Sequence, residues 1–259
     1  FLAALQGIPA CVQEQNALPG MTNKILAHFV NRIFLGYSEA DKYFKGKAKK
    51  IFTGNPIRAE VMQGTRAEGI KAFGLDSGKA TVLIAGGSLG AASVNQAALQ
   101  LEKNLSGRDD VQILHATGKN NYEDYQRQVE ELGGFKSNIH IKPYLYDMPL
   151  ALAAADIAVF RAGAIGLAEL TAKGIPSILV PFPYATANHQ EFNARALEAV
   201  GAAQVILDKN LTGEVLEEKV EHLLLHKEIL QKMQNAAQKA GRPKAAQEIA
   251  KQVLALVRK

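Results

Sequence analysis

The chain has 259 residues, of which 47% are hydrophobic and 21% are charged, a composition that excludes a disordered or fibrous protein and allows one large or two modest domains. The single cysteine, Cys11, excludes an internal disulfide framework, and no apolar run reaches the roughly 18 residues of a membrane span. The net charge of +5 favours acidic ligands or an anionic surface and does not by itself indicate nucleic acid.

The first 57 residues predict only part of a sheet domain. Strands are predicted over residues 9–12 and 33–37 and from residue 51, and helices over residues 1–7 and 22–32. The chain also begins at Phe1, without an initiator methionine. We therefore expect the remnant of an N-terminal domain, with Ile25, Phe29 and Ile33 poorly covered.

A basic run follows a predicted helix start at Ser38, and it is interleaved with Tyr43 and Phe44. Its members are Lys42, Lys45, Lys47, Lys49 and Lys50. One interpretation is a solvated loop. The other is contact with an anionic membrane surface, where each lysine near the headgroups contributes about 1 kcal/mol.

The segment around Gly54-Asn55-Pro56 and Arg58 predicts an interdomain linker. From residue 80 strands and helices alternate regularly. Strands are predicted over residues 81–85, 111–116, 138–142, 157–160, 178–180 and 203–206, and the intervening helices over 91–101, 122–132, 148–155, 165–172 and 190–200. This pattern predicts an α/β fold with a doubly wound, Rossmann-like parallel sheet, followed by helices over 212–225, 227–240 and 243–257.

A glycine-rich turn, Gly86-Gly87-Ser88-Leu89-Gly90, follows the first of these strands and opens a helix. Glycines let a phosphate approach the backbone, and the Ser88 hydroxyl can add a hydrogen bond. Ala85 stands where a dinucleotide fingerprint has its first glycine, and no carboxylate follows the next strand, so a dinucleotide cofactor is not expected. The alternative is a turn whose glycines serve packing alone.

A second candidate site combines the helix start at Gly163-Ala164-Ile165 with Glu169, one turn further on. Helix N-termini at the carboxyl ends of strands suit a diphosphate, and a carboxylate there can accept hydrogen bonds from a ribose diol. The alternative for Glu169 is an i,i+4 pair with Lys173. A third candidate is the amide cluster Asn188, Gln190 and Asn193, whose side chains read sugar hydroxyls or cap a helix.

Taken together, these motifs resemble the MurG family of lipid-linked peptidoglycan N-acetylglucosaminyltransferases, within the GT-B class. The resemblance covers the whole chain and rests on Glu14-Gln15-Asn16, Gly20, Thr22-Asn23-Lys24, Gly54-Asn55-Pro56, Arg58, Gly86-Gly87-Ser88, Gly90-Ala91, Asn95, Asp147-Met148, Asp156, Arg161, Gly163, Glu169, Pro181, His189-Gln190, Asn193-Ala194 and Gly201-Ala202-Ala203. It implies transfer of N-acetylglucosamine from UDP to lipid I with inversion, giving lipid II at the cytoplasmic face of the bacterial membrane, with peripheral attachment and no metal or cofactor.

The resemblance also implies roles for particular residues. Ser88 and the amides of Ala164 and Ile165 hold the diphosphate, and Glu169 takes the ribose hydroxyls. Backbone groups of Leu145 pair with the uracil edge, and Arg58 lies close to the base. Gln190 and Asn193 read the sugar, and Asn16 faces it from the other domain.

Three departures from the family pattern stand in the sequence. Gln13 replaces the usual histidine before Glu14, Ala162 replaces a serine, and Gly166 stands where relatives often carry threonine. The family's N-terminal glycine-rich loop and its histidine are absent, so the catalytic base cannot be assigned. Other GT-B transferases, a UDP-sugar epimerase, and a non-catalytic nucleotide-sugar-binding fragment remain as alternatives.

These observations predict three parts. Residues 1–57 are the remnant of an acceptor- and membrane-binding domain, residues 58–240 the complete donor domain, and residues 241–259 a helix that packs back toward the first part. We expect the donor domain to fold alone, and the chain as it stands to bind UDP-N-acetylglucosamine without transferring sugar.

Overall fold

The structure, a computed structural model, describes residues 1–87 and 89–257. The strands are β1 Cys11–Glu14, β2 Arg32–Leu35, β3 Lys49–Phe52, β4 Ala80–Ala85, β5 Val111–Ala116, β6 Ile139–Lys142, β7 Ile157–Arg161, β8 Ser177–Val180 and β9 Ala203–Val205. The helices are α1 Leu2–Leu5, α2 Met21–Leu26, α3 Ala59–Gln63, α4 Arg66–Phe73, α5 Ala92–Leu105, α6 Tyr122–Glu131, α7 Met148–Ala154, α8 Ala164–Lys173, α9 His189–Ala199, α10 Gly213–Leu225, α11 Lys227–Ala240 and α12 Ala245–Val257. Short 3₁₀ helices span Ser38–Tyr43, Thr186–Asn188 and Asp208–Asn210.

The larger sheet confirms the predicted doubly wound α/β fold. Its strand order is β6-β5-β4-β7-β8-β9, and every neighbouring pair is parallel. The order reverses between β4 and β7, which makes a crevice at the carboxyl edge of the sheet between these two strands. The predicted strands are all present, and their ends shift by at most one residue.

Successive residues of the central strands alternate between two core layers, because side chains of a strand point to opposite faces of the sheet. Leu83 of β4 and Leu179 of β8 share one layer with Leu170 of α8. Val82 and Ile178, their chain neighbours, lie in the layer that contains Leu101 of α5 and Leu216 of α10. Burial on both faces explains why these strands read as continuous apolar runs.

The smaller sheet has the order β1-β2-β3, again parallel. Its core cluster contains Ile33 of the central strand, Ala27, and Phe44 from the turn after the 3₁₀ helix Ser38–Tyr43. The expectation for Ile33 was therefore wrong: it is only 1% exposed, because these groups cover its face of β2. The expectation for Ile25 and Phe29 is confirmed, since they are 55% and 43% exposed.

Two boundaries in this region also differ from the prediction. β1 begins two residues later than expected, so Gln13 and Glu14 belong to the strand rather than to the loop after it. α2 ends at Leu26 instead of continuing to residue 32. Asn31 begins the pairing that leads into β2, because its side-chain oxygen accepts from the Ala10 N–H and its own N–H donates to the Ala10 carbonyl.

Two helices that were not predicted, α3 and α4, lie between the segment predicted as a linker and β4. α4 opens with a capping box in which Thr65 and Glu68 bond reciprocally. Arg66 then pairs with Asp156 at 3.0 Å. Gly69 lies so close to α7 that a Cβ there would be 2.3 Å from the Leu150 carbonyl oxygen, which packs α4 firmly against the larger sheet's domain.

Contacts between the two sheets' domains come from side chains distant in sequence. Arg32 of β2 donates to Oε1 of Gln252 in α12 at 2.8 Å. Gly54, with φ of +78°, lies against Arg242, where a Cβ would be 2.4 Å from the Arg242 Cβ. Among the described residues, the helices are too short or too polar to cross a membrane.

Candidate functional site

A cleft of about 980 Å³ lies at the carboxyl edge of the larger sheet. Every strand of that sheet contributes to it, either with its last residues or with the loop that follows. The lining includes Gly86, Gly87, Ala116, Tyr144, Leu145, Tyr146, Arg161, Gly163, Phe182 and Asp208. Ligands of open α/β sheets bind at this edge, so the cleft is the candidate site.

The glycine-rich turn forms one wall, and its conformation requires glycine. Gly87 and Gly90 have φ of +93° and +77°, in the left-handed region. A Cβ at Gly90 would lie 2.1 Å from the Thr117 carbonyl oxygen, so the turn is seated directly on the loop after β5. Ser88 lies outside the described residues, and its contact with a diphosphate stays a prediction.

The N-terminus of α8 points into the cleft. Ile165 and Gly166 of its first turn line the cleft, and Ala164 beside them is buried. Among the described residues, no side chain caps α8 at Gly163 or α5 at Ala91. The first amides of each helix are therefore available, with the positive end of the helix dipole, for an anion.

Glu169 lies one turn further along α8 and is 7% exposed. Its Oε1 accepts from Nε of Arg58 at 3.2 Å, so the structure brings together two residues that are far apart in sequence. The alternative pairing of Glu169 with Lys173 is wrong. The Lys173 ammonium instead donates to the Gly64 carbonyl at 2.8 Å, and partial burial lowers the pKa of Lys173.

Arg161 lines the cleft and hydrogen-bonds to residues of three other segments that surround it. Its guanidinium donates to Oδ1 of Asp208 at 2.5 Å and to the hydroxyl of Ser93 at 2.7 Å. The Ser93 hydroxyl in turn donates to the same Asp208 oxygen at 2.7 Å. Arg161 also donates to the Val180 and Pro181 carbonyls. These partners lie up to 68 residues away in sequence, so no local pattern predicts them.

Leu145 and two tyrosines form the opposite wall. Leu145 is buried, and Tyr144 and Tyr146 on either side of it line the cleft. The Lys119 ammonium lies 5.4 Å from the Tyr144 ring centre and 5.1 Å from that of Tyr146. A hydrogen bond with Tyr146 raises the pKa of Lys119, which keeps a positive charge beside this wall.

Gln190 and Asn193, the two amide side chains predicted to bind the sugar, lie in different environments. Gln190 lines the cleft, and its Oε1 accepts from the Phe182 N–H at 3.0 Å. Asn193 is fully buried: its Oδ1 accepts from the Ala17 N–H at 2.8 Å, and its Nδ2 donates to Oδ1 of Asn16 at 3.0 Å. Asn193 thus joins the two domains, and a direct contact with a sugar would require these bonds to exchange.

Asn16 itself is positioned by the buried carboxylate of Glu14. Glu14 Oε1 accepts from the Asn16 N–H at 2.9 Å, and Oε2 accepts from the Gly20 N–H at 3.1 Å and from Nδ2 of Asn23 at 2.9 Å. The Asn55 side chain donates to the Gln15 carbonyl at 2.9 Å from the linker side. The loop after β1 is thereby folded around one carboxylate.

The doubly wound sheet, with a cleft at its carboxyl edge and uncapped helix N-termini beside it, has the fold of a GT-B glycosyltransferase. Residues 81–249 match the family model "Glycosyltransferase family 28 C-terminal domain". Over 252 residues the chain is 45% identical to the UDP-N-acetylglucosamine–N-acetylmuramyl-(pentapeptide) pyrophosphoryl-undecaprenol N-acetylglucosamine transferase of Desulforamulus reducens, covering 96% of this chain and 68% of that protein. The chain belongs to this family of N-acetylglucosamine transferases.

Solved structures agree with that assignment. The crystal structure of Acinetobacter baumannii MurG is 27% identical and superposes with a TM-score of 0.77, over 97% of this chain and 69% of that one. The UDP-GlcNAc 2-epimerase of Neisseria meningitidis, solved with UDP-GlcNAc, is 15% identical with a TM-score of 0.68, over 97% of this chain and 71% of that one. At that identity the second likeness shows the fold alone.

Proposed function

We propose that the cleft is the UDP-N-acetylglucosamine site of a transferase that moves N-acetylglucosamine to lipid I, forming lipid II in peptidoglycan synthesis. One observation carries the assignment. The first turn of α8, the glycine-rich turn and the Arg58–Glu169 pair surround a single cleft at the carboxyl edge of the sheet. The acceptor class follows from the activity for which the Desulforamulus reducens relative is named.

In this proposal the amides of Ala164 and Ile165, with Ser88, hold the diphosphate. Glu169 accepts from the ribose hydroxyls, and Arg58 keeps that carboxylate oriented while lying beside the base. Backbone groups of Leu145 pair with the uracil edge. The proposal is supported by the lining of the cleft, which includes Arg58, Leu145, Ile165 and Glu169.

The sugar extends toward Gln190 and toward Asn16, which the Asn193 amide holds at the junction of the domains. Attack by the acceptor hydroxyl from the face opposite the diphosphate gives inversion. Negative charge then develops on the leaving diphosphate, where helix dipoles and fixed N–H donors stabilise it most. The residues that the structure describes supply no assigned base, and the proposed chemistry needs no metal or cofactor.

We also propose peripheral attachment to an anionic membrane at its cytoplasmic face. The lysines of the basic run are exposed. The ammonium groups of Lys24 and Lys42 lie 5.3 and 5.2 Å from the centre of the Tyr43 ring. Met21 and Ile25 of α2 are exposed beside Lys24. Co-sedimentation with phosphatidylglycerol vesicles, lost in added salt, is the expected result, and equal binding to phosphatidylcholine would contradict it.

A transfer assay separates the proposed activity from its rivals. The chain and a form extended at Phe1 with the upstream residues of the Desulforamulus reducens relative are incubated with UDP-N-acetylglucosamine and a soluble lipid I analogue. We expect the extended form to transfer the sugar. Formation of the 2-epimeric UDP sugar without transfer would favour an epimerase. Binding without either product in both forms would favour a nucleotide-sugar-binding module.

A further inference from the structure

A fully buried polar network lies next to the glycine-rich turn, and the proposed chemistry does not use it. At its centre is His115, near the end of β5. Its Nδ1 is 2.7 Å from Oε1 of Glu102, and its Nε2 is 3.2 Å from Oδ1 of Asn95, both on α5. The Tyr125 hydroxyl of α6 donates to the other Glu102 oxygen at 2.7 Å. Burial raises the pKa of Tyr125, so that hydroxyl remains a donor.

The orientation of the Asn95 amide follows from its second partner. Asn95 Nδ2 donates to the Thr117 carbonyl at 2.9 Å, so Oδ1 is the atom that faces His115. An amide oxygen only accepts, which requires a hydrogen on Nε2 of His115. The Asn95 amide is therefore held at both ends, with the Thr117 carbonyl accepting from its nitrogen and the Nε2–H of His115 donating to its oxygen.

The Thr117 carbonyl is the point at which this network meets the glycine-rich turn. It accepts from Asn95 and also from Nδ2 of Asn121 at 3.2 Å, and the same Asn121 nitrogen donates to the Leu89 carbonyl of the glycine-rich turn at 3.2 Å. Gly90 is packed against this carbonyl without room for a side chain. A Cβ at Gly118 would be 2.6 Å from the Gly90 Cα, so the two turns are in backbone contact.

We propose that His115 is a positioning residue for the diphosphate. Through the Asn95 amide and the Thr117 carbonyl it holds the loop after β5 in the one arrangement on which the glycine-rich turn rests. Asn95 also lies in the first turn of α5, whose N-terminus opens onto the cleft, so the same amide holds both phosphate-facing elements. The inference rests on the proposed function, in which the glycine-rich turn holds the diphosphate.

The test compares UDP with uridine, because only UDP carries the phosphates. Replacing His115 alone would leave Glu102 buried beside an apolar group, so the informative protein is the double variant His115→Leu/Glu102→Met, which removes both hydrogen-bonding partners together. We expect its affinity for UDP to fall by about tenfold while its affinity for uridine changes by less than about twofold in NMR titrations. Tyr125→Phe is the matched control, since it removes one buried hydrogen bond but leaves His115, Asn95 and Thr117 joined.

Parallel losses for UDP and uridine in the folded double variant, or no loss for either, would overturn the proposal. A measurement on the unmodified chain tests it independently of whether the variant folds: long-range ¹⁵N–¹H spectra should show a hydrogen on Nε2 of His115. An unprotonated Nε2 would remove the link to Asn95. If the unmodified chain binds UDP no more tightly than uridine, the proposed function fails instead, and the His115 spectra still decide the hydrogen bond.

Discussion

Substitution of Glu169 tests whether its carboxylate binds a ligand or serves only as the ion-pair partner of Arg58. Glu169 contacts Arg58, and both residues line the cleft in which the ribose is proposed to bind. Glu169→Ala should weaken UDP binding by about 1.5–3 kcal/mol, the range for hydrogen bonds to a charged group. Calorimetric titration measures the change. Lys173→Ala is the control and should leave UDP affinity unaltered, because the Lys173 ammonium bonds the Gly64 carbonyl.

Gln190 and Asn193 separate sugar recognition from domain contact. Gln190→Ala should weaken UDP-N-acetylglucosamine and leave UDP almost unaffected, since its proposed partners lie on the sugar. Asn193→Ala should in addition lower the free energy of unfolding by about 1–3 kcal/mol, because the buried Ala17 N–H loses its acceptor. Paired titrations and thermal melts measure both. Equal losses for UDP and its sugar in Gln190→Ala would contradict the assignment.

The sequence predicted which residues belong to the site better than it predicted their hydrogen-bond partners. Arg58, Leu145, Ile165, Glu169 and Gln190 were expected at one site, and the structure lines one cleft with them. The bonds of Arg161 to Asp208, and of His115 to Glu102, were not predicted. Arg161 and Asp208 are 47 residues apart, and His115 and Glu102 are 13 apart on the consecutive elements β5 and α5. Both contacts follow from how the elements pack, which no local pattern contains. For His115 the sequence offered one signal, a titratable residue in a predicted buried strand.

The glycine-rich turn is the element on which the site depends most. Gly90 and Gly134 share a φ of +77°, but only Gly90 meets the Thr117 carbonyl, while a Cβ at Gly134 has nothing within 4 Å. Gly134→Ala thus measures how much the left-handed backbone conformation alone lowers the free energy of unfolding when glycine is replaced. Gly90→Ala should destabilise by about 1–3 kcal/mol more, the range for overpacking. Its UDP affinity should fall as well. Equal melting temperatures for the two variants would contradict the close packing of Gly90 against the Thr117 carbonyl.

Element boundaries were predictable where strands are buried on both faces. β4, β7 and β8 read as mainly apolar runs bounded by turn residues, and β5 keeps enough apolar residues beside Gln112 and His115, so all four positions were predicted within one residue. β1 and α2 were misplaced because they are only four and six residues long, too short for a periodic pattern to mark their ends. α3 and α4 were missed although Thr65 and Glu68 have the spacing of a capping box.

For the whole molecule, the contacts between the two sheets' domains bear on how the cleft meets a second substrate. Asn193 holds Asn16 at 3.0 Å, Arg32 bonds Gln252, and Gly54 packs against Arg242. Ala17 and Tyr37 are in addition buried in the core cluster that contains Leu167 and Leu170, so the contact is both polar and apolar. The chain spans about two thirds of the length of the curated relatives it matches. The division at residues 57 and 240 stays a prediction, to be tested by expressing residues 59–240 alone.

The central claim is that the cleft selects a uridine diphosphate. Calorimetric titration of the chain with UDP, ADP and GDP tests it most directly, because the three share the diphosphate and differ only in the base. UDP should bind most tightly, since Leu145 and Arg58 are proposed to frame a pyrimidine edge while the α8 amides serve all three ligands equally. Equal affinities for the three nucleotides would show a diphosphate site without base selection and would contradict the account.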